Sequence, residues 1–276
     1  MEIIHAVHPE QMKSFDTKQL RKNFLVRELF VPDKVRMVYS YYDRLIVGGV
    51  QPASTLKLKV DERIIGSKYL LNRREMGIIN IGAEGSVTVD DNEYKLGNKD
   101  GLYIGMGARE VDFSTAKLEN PAKFYFLCTP AHKSYPTTSI SIKETTPLNL
   151  GSYEQSNRRT IYKYIHPEGI RSCQLVMGLT VLEPNNVWNT MPTHTHARRI
   201  EVYFYFDFPN EDLVMHFMGT PKETRHLIMR SEEAVLSPSW SIHSGVGTRN
   251  YSFIWGMAGE NQIFSDMDDV PMSSLL

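Results

Sequence analysis

The sequence is dominated by short β-type runs that are separated by turn residues. In "GIINIGAEGSVTVDDNEYKLGNKDGLYIGMG" at 77–107, apolar residues alternate in short runs between Gly, Asp and Asn. Comparable runs occur at 34–50, 173–192, 201–208, 213–219 and 226–240. Short strands at this spacing are typical of a β-sandwich or β-barrel. One short helix, capped by Thr17, is predicted from the helical spacing of Leu20, Phe24 and Leu25. The sequence therefore predicts a mainly β chain with a few short helices.

The two halves of the chain resemble each other. "NRREMGIINIG" at 72–82 aligns with "HARRIEVYFYF" at 196–206, and 99–113 aligns with 232–246 without a gap. A polar stretch at 145–158 lies between the halves. This self-similarity predicts a duplicated β-barrel, with one domain at residues 1–150 and a second at 151–276.

The first half lacks the histidines of the second. The second alignment places Glu110 opposite His243, and Glu75 also falls near a position equivalent to a ligand. The first barrel is therefore predicted to have no metal ligands and to be structural or an oligomer contact.

Composition limits the partners and the compartment. With 31 basic and 32 acidic residues the net charge is −1, so no global electrostatic argument favours nucleic acid or an anionic membrane. No run approaches a membrane span of about 20 apolar residues, and the N-terminus lacks the features of a secretory signal. Only Cys128 and Cys173 occur, a number that fits a reducing compartment. A cytoplasmic globular protein is predicted.

The chemical landmark is "THTHARRIE" at 193–201, followed by "IHSGVGTRN". In a strand, His194 and His196 project from the same face. A turn through 197–199 would direct Glu201 back towards them, and His243 joins them if the two segments are neighbouring strands. Three imidazoles and a carboxylate are a donor set suited to a divalent first-row metal.

This pattern resembles the two metal-binding motifs of the cupin superfamily, whose members are small antiparallel β-barrels. One departure is Trp240, which stands where the second motif usually has Gly. Longer segments resemble, in order and spacing, the bacterial 4-deoxy-L-threo-5-hexosulose-uronate ketol-isomerases: "NRREMGIINIG", "NPAKFYFLCTPAHKSYPT", "LVMGLTVLEPNNVWNTMPTHTHARRIE" and "NYSFIWGMAGENQ". The resemblance covers nearly the whole chain.

The resemblance implies a bicupin, that is, two tandem cupin-type antiparallel β-barrels, with one competent metal site in the C-terminal barrel. The family's ligand positions fall on His194, His196, Glu201 and His243. It further implies zinc, one per subunit, and a homohexamer. Manganese, iron and nickel stay open as alternatives to zinc.

The implied reaction converts 4-deoxy-L-threo-5-hexosulose uronate to 3-deoxy-D-glycero-2,5-hexodiulosonate during the breakdown of pectin and other uronates. A divalent metal acts there as a Lewis acid, and a general base moves a proton between neighbouring carbons. A hydride shift would use the same metal position. Because catalytic zinc usually keeps three protein ligands, a closed structural site with four is an alternative.

Strand parity suggests catalytic candidates. On "EVYFYF", Tyr203 and Tyr205 share a face with Glu201 and would line the lumen beside the metal. Either phenol could shuttle a proton or bind substrate, and amphipathic core filling is the alternative role. His216 and His226 lie in apolar strands, where a hydrogen-bonded structural histidine is the commoner outcome.

The carboxylate of a uronate substrate needs a cation. Arg159 and Lys163 share one face of the strand-like "RRTIYKYIH". Arg198 and Arg199 lie next to the ligands and are rivals, and Arg fits a carboxylate in bidentate fashion. Arg159, Lys163 and Arg199 are the predicted substrate-binding residues.

Two other functions use the same features. A cupin dioxygenase would use these ligands with iron and oxygen. A non-catalytic sugar-binding cupin would bind a ligand without turnover.

Overall fold

The computed structural model describes residues 1–276, and strands make up 45% of the chain. In the first half the strands are β1 Glu2–Ile4, β2 Leu25–Val26, β3 Val35–Ser40, β4 Ile46–Val50, β5 Leu56–Lys57, β6 Arg74–Asn80, β7 Gly85–Val89, β8 Asn92–Leu96, β9 Gly101–Ile104, β10 Val111–Thr115, β11 Phe124–Pro130, β12 Thr138–Ile140 and β13 Leu148–Leu150. In the second half they are β14 Arg159–Ile165, β15 Val176–Leu182, β16 Trp188–Thr195, β17 Arg199–Phe206, β18 Val214–Thr220, β19 Glu223–Met229, β20 Glu233–Ser237, β21 His243–Gly247, β22 Ser252–Gly259 and β23 Asp268–Asp269. The prediction of a mainly β chain is confirmed.

Helices are few and short. The α-helices are α1 Pro9–Met12, α2 Thr17–Phe24 and α3 Glu62–Ile65, and 3₁₀ turns lie at Leu70–Asn72, Ile142–Glu144 and Met272–Ser274. The predicted helix is α2, but its cap is Asp16 and not Thr17, because the Asp16 side chain accepts from the backbone N–H of Gln19 in a capping box. No helix in the structure has the length and apolar character needed to cross a membrane.

The strand order shows an internal repeat. One sheet has the order β1-β3-β4-β11-β6-β9-β12, and another has the order β13-β14-β15-β22-β17-β20-β2. The two smaller sheets have the orders β5-β10-β7-β8 and β19-β18-β21-β16-β23. Apart from edge strands, the second pair of sheets repeats the first with every strand number raised by 11. The predicted duplication is therefore visible in the topology.

The chain forms two compact units, and these interleave along the sequence. The first contains residues 1–3, 28–145 and 164–176, and the second contains 4–27, 146–163 and 177–276. They differ from the predicted single division at residue 150. The N-terminal segment lies with the second unit because α2 buries its apolar face there, with the Phe24 ring 6.1 Å from the Trp240 ring.

The interior of the first unit is apolar. Met76 and Ile78 on β6 face the same cluster as Phe113, Phe124 and Phe126, and all five side chains are buried. Gly48 leaves the room for this packing, since a Cβ there would lie 2.0 Å from the Phe126 ring. A lumen filled in this way has no cluster of metal-ligating side chains.

Glu75 lies on the other face of β6 from Met76. Its buried carboxylate accepts hydrogen bonds from the backbone N–H groups of residues 173–175 at 2.6–2.8 Å, and from the hydroxyls of Tyr103 and Thr129. Glu110 is on the surface and pairs with Lys57 at 2.6 Å. Neither carboxylate lies in the apolar interior where a metal ligand would be, which corrects the expectation from the alignment.

For Glu75, the correction arises from a register difference of one residue between β6 and β17. Met76 is the cross-strand partner of Ile104, and Glu201 is the partner of Ser237. The gap-free alignment of 99–113 with 232–246 pairs residue 104 with residue 237. The strand partners of these two residues, Met76 and Glu201, are therefore equivalent in the structure. The alignment of 72–82 with 196–206 instead pairs Glu201 with Gly77. A shift of one residue moves every side chain to the opposite face of a strand.

Candidate metal centre

Three strands of the second unit bring the predicted ligands together. His194 lies on β16 and is the cross-strand partner of His243, the first residue of β21. Strand β16 ends at Thr195, and the chain turns at 197–198 before β17 begins. The turn is closed by the N–H of Arg199, which donates to the carbonyl of His196 at 3.2 Å. This turn directs Glu201 towards the histidines, as the sequence predicts.

The four side chains are buried and form a closed ring of contacts. Nε2 of His194 lies 3.1 Å from Nε2 of His196 and 3.0 Å from Nε2 of His243. Oε2 of Glu201 lies 2.9 Å from Nε2 of His196 and of His243. Ligands bound at about 2.1 Å to one cation would be about 3.0–3.4 Å apart for angles between 90° and tetrahedral. The donor set therefore fits a single metal ion.

The protonation states also fit a metal. Burial, followed by the charge of His243, lowers the pKa of His194 to about 2, so its imidazole is neutral at pH 7. Burial alone would raise the pKa of Glu201. The charge of His243 and the hydrogen bonds from His196 and His243 outweigh burial and hold that pKa well below its usual value. The neutral imidazole of His194 and the ionised carboxylate of Glu201 are the forms in which these two groups ligate metals.

Hydrogen bonds orient two of the imidazoles. Nδ1 of His196 lies 2.8 Å from the main-chain oxygen of Asp266. A carbonyl only accepts, so Nδ1 carries a proton; when the imidazole is neutral, as in a metal ligand, Nε2 is left to present its lone pair to the cluster. Nδ1 of His243 lies 3.2 Å from Oγ of Ser237.

A cavity of about 220 Å³ opens beside the cluster. His194, His196 and Glu201 form part of its wall. Its other polar residues are Arg159, Thr180, Thr190, Tyr203 and Asp269, and its apolar wall includes Ile161, Met191, Phe253, Trp255, Met257, Phe264 and Met267. The cavity thus combines a buried donor cluster with a cation, hydroxyl groups and an aromatic surface.

The two predicted catalytic tyrosines have different surroundings. Tyr203 lines the cavity, and its hydroxyl lies 2.9 Å from Oγ1 of Thr190. Burial raises the pKa of Tyr203, so the phenol is protonated at neutral pH. Tyr205 does not line the cavity; its hydroxyl lies 2.8 Å from Nδ1 of His216. The structure places Tyr205 in a buried polar contact away from the cavity lining, and its catalytic role stays a prediction.

Only one of the predicted substrate cations reaches the cavity. Arg159 lines it and donates from Nη1 to the carbonyl of Asn157 at 2.9 Å. Lys163 lies over the ring of Phe264, 5.7 Å from its centroid, outside the cavity lining. Arg199 is bound by main-chain carbonyls, and Arg198 pairs with Asp266 and Asp268. The structure therefore places neither Lys163 nor Arg199 in the cavity wall, and substrate binding by these two residues stays a prediction.

Sequence reasoning missed several cavity residues. Thr190 lies in an irregular part of β16, where the register with β21 shifts between Asn189 and His194, so simple strand alternation could not have identified it. Asp269 reaches the cavity because β23 pairs with β16, where Asp269 is the partner of His194. No local pattern indicates that pairing, since the two residues are far apart in sequence.

Comparison with known proteins decides the family. Residues 24–272 match the KduI/IolB family. The chain belongs to this family. Among KduI/IolB relatives, the 4-deoxy-L-threo-5-hexosulose-uronate ketol-isomerase of Caldicellulosiruptor bescii is 58% identical over 275 residues, which is 100% of each chain. The protein of that name from Escherichia coli strain SE11 is 52% identical over 278 residues, again covering 100% of both.

Solved structures share the fold at low identity. An IolB-like protein from Salmonella typhimurium superposes with a TM-score of 0.69 at 14% identity, over 87% of this chain and 94% of that one. A mutant of Bacillus subtilis oxalate decarboxylase gives a TM-score of 0.58 at 12% identity, over 83% of this chain and 71% of the other. The predicted cupin-type fold is confirmed by these likenesses.

Proposed function

We propose that this chain is a 4-deoxy-L-threo-5-hexosulose-uronate ketol-isomerase that forms 3-deoxy-D-glycero-2,5-hexodiulosonate during the breakdown of pectin and related uronates. The observation that carries the proposal is 58% identity to a relative of that name over the whole of both chains. The reaction turns an aldehyde beside a carbinol carbon into a ketone beside a primary alcohol. Hydrogen moves within one molecule, so no external oxidant or reductant is needed.

His194, His196, Glu201 and His243 would hold one zinc ion per subunit. Three imidazoles and one carboxylate favour zinc over manganese or iron on affinity, although availability also decides which metal is bound. When bound, the ion supplies Lewis-acid polarisation that acidifies the hydrogen beside the substrate carbonyl. The closeness of three of these residues to the cavity supports a catalytic site over a closed structural one.

Arg159 would bind the substrate carboxylate. Its guanidinium lines the same cavity as Glu201 and carries five N–H donors, of which the structure pairs one with the carbonyl of Asn157. Burial lowers the pKa of Arg159, and the charge is retained because a guanidinium stays protonated in proteins. A bidentate contact to a carboxylate would fix one end of the sugar acid.

Tyr203 would orient the reacting end. Its hydroxyl is on the cavity wall beside the ligands and is held by Thr190. We infer that this hydroxyl donates a hydrogen bond to the substrate oxygen on which negative charge develops. The aromatic wall formed by Phe253 and Trp255 excludes water from that contact.

The experiment combines metal analysis with an isomerase assay on the wild type and His243→Ala. We expect about one zinc per chain and turnover in the wild type, and loss of both in the variant. His226→Ala is the matched control, because His226 is exposed on β19. A metal-free variant that turns over at the wild-type rate would overturn metal catalysis. Oxygen consumption by an iron-loaded protein would indicate a dioxygenase, and binding without turnover would indicate a sugar-binding cupin.

The assembly and compartment are also proposed. We propose a homohexamer, as the family resemblance implies, in the cytoplasm. Leu148 and Leu150 are exposed on the edge strand β13, which supports self-association. The paucity of cysteine supports the reducing compartment.

A further inference from the structure

Arg199 is a fully buried cation whose two Nη groups donate to main-chain oxygens, while its Nε has no hydrogen-bond partner. It is 1% exposed and is the first residue of β17. Nη1 donates to the carbonyls of Asn261 and Ile263 at 2.8 and 2.9 Å, and Nη2 donates to those of Phe264 and Asp266 at 3.4 and 3.1 Å. Burying a guanidinium is costly unless its donors are paired, so this concentration of contacts indicates a defined role.

The segment that Arg199 binds has no regular strand of its own between β22 and β23. Within the segment, Asn261 bridges the Asp266 carboxylate and the N–H of Ile263, each at 2.8 Å. From outside it, Arg198 also binds the Asp266 carboxylate. The segment places Phe264 and Met267 in the cavity wall. Without Arg199, four carbonyls of this segment would each lose one hydrogen bond.

One of those carbonyls also contacts a ligand of the proposed metal. The main-chain oxygen of Asp266 accepts from Nη2 of Arg199 at 3.1 Å and from Nδ1 of His196 at 2.8 Å. A carbonyl oxygen has two lone pairs, so it can accept both hydrogen bonds. The position of this oxygen determines the tautomer and the ring orientation of His196.

We propose that Arg199 is a positioning residue for the metal centre: by fixing the Asp266 carbonyl it orients His196, and by holding residues 261–266 it keeps the aromatic cavity wall in place. The inference rests on the proposed metal site. Lysine cannot replace this function, because an ammonium is a point charge, whereas the planar guanidinium reaches four carbonyls at fixed angles.

The test measures zinc affinity by competition with a chelator in wild type and Arg199→Lys. Loss of a hydrogen-bond partner behind a metal ligand typically weakens metal binding by about 10- to 100-fold, and we expect a loss of that size. The increase in melting temperature on adding zinc should shrink correspondingly, because this increase measures ligation separately from the stability of the metal-free fold. Arg158→Lys is the matched control, since Arg158 pairs with Glu183 at the surface.

A second variant guards against misfolding. Asn261→Ala loosens the same segment while it retains Arg199 and every proposed ligand, and we expect a smaller loss of zinc affinity. The visible absorption spectrum of the cobalt-substituted protein should also differ between wild type and Arg199→Lys. This spectrum depends on the arrangement of the ligands around the cobalt ion, so a reoriented His196 would change it. Zinc affinity and cobalt spectra equal to wild type in both variants would overturn the proposal. Failure of the wild type itself to bind metal would instead refute the proposed metal centre.

Discussion

Thr190 is held in a backbone conformation that β-branched residues rarely adopt. Its φ is +48°, in the left-handed region, where the branched side chain is crowded. Such strain concentrates at functional sites, where the surrounding structure maintains it. Here the conformation accompanies a hydrogen bond to Tyr203 at the cavity wall.

Thr190→Val should lower kcat by about three- to tenfold with little change in KM, since one neutral hydrogen bond contributes about 0.5–1.5 kcal/mol. The substitution keeps the branched shape and removes only the hydroxyl. Thr190→Ser restores the hydroxyl and should recover most of the rate. Steady-state kinetics of the three proteins check this, and equal rates for Val and Ser would exclude the positioning of Tyr203 by this hydroxyl.

Glu75 ties residues 173–175 to the first unit through three backbone N–H groups. Glu75→Gln should lower the free energy of unfolding by about 1–3 kcal/mol, because an amide NH₂ would face buried donors and leave them unpaired. Denaturant unfolding of the metal-free protein measures the effect. Glu110→Gln is the control at an exposed carboxylate; a similar small change in both variants would contradict this role.

At the scale of elements, the turn between β22 and β23 is anchored at the surface as well as by Arg199. Arg198 donates from Nε and Nη2 to the carboxylate of Asp266 at 2.8 and 2.7 Å, and also contacts Asp268. These hydrogen bonds from Arg198 lower the pKa of both carboxyls below 3.8.

A depressed pKa makes this anchor dependent on pH. The folded state favours the ionised carboxylates, so the stabilisation is complete above pH 3.8 and is lost as the pH falls through the lowered folded values. Asp266→Asn should therefore lower the melting temperature of the metal-free protein slightly at pH 7, with a difference that narrows towards about pH 3. In an Arg198→Ala background, Asp266→Asn should lower the melting temperature by less, because the partner of the carboxylate is already absent. A difference independent of pH and of Arg198 would contradict the ion-pair explanation.

Strand parity was predictable, and register was not. The placement of His194, Glu201 and Tyr203 on the interior face follows from alternation and the turn at 197–198. The sequence alignment does not reveal the shift of one residue between β6 and β17. Apolar residues of "MGIINI" in β6 align with apolar residues of β17 both with the shift and without it. Cross-strand partners reveal it, and they make Met76 the equivalent of Glu201.

At the scale of the whole molecule, the proposed assembly can be tested at one edge. Leu148 is 40% exposed on β13, which pairs only with β14 in its sheet. Leu148→Lys should weaken self-association, because a charge on an edge strand opposes burial against another chain. Light scattering after size-exclusion chromatography measures the mass. Leu118→Lys, at an exposed loop leucine, is the control, and an unchanged hexamer in both variants would exclude this edge from the interface.

The β class, the duplication, the family and the four residues that meet in the second unit were all predictable from the sequence. These depend on local patterns and ligand types, which a linear chain displays directly. Only the tertiary structure decided the surroundings of those residues: Arg159 lines the cavity, Arg199 binds four carbonyls, and Asp269 enters through the pairing of β23 with β16. Such contacts join segments that are distant in sequence. In the sequence alone, an arginine with a structural role cannot be distinguished from one that binds substrate, because the role depends on the partners of the side chain.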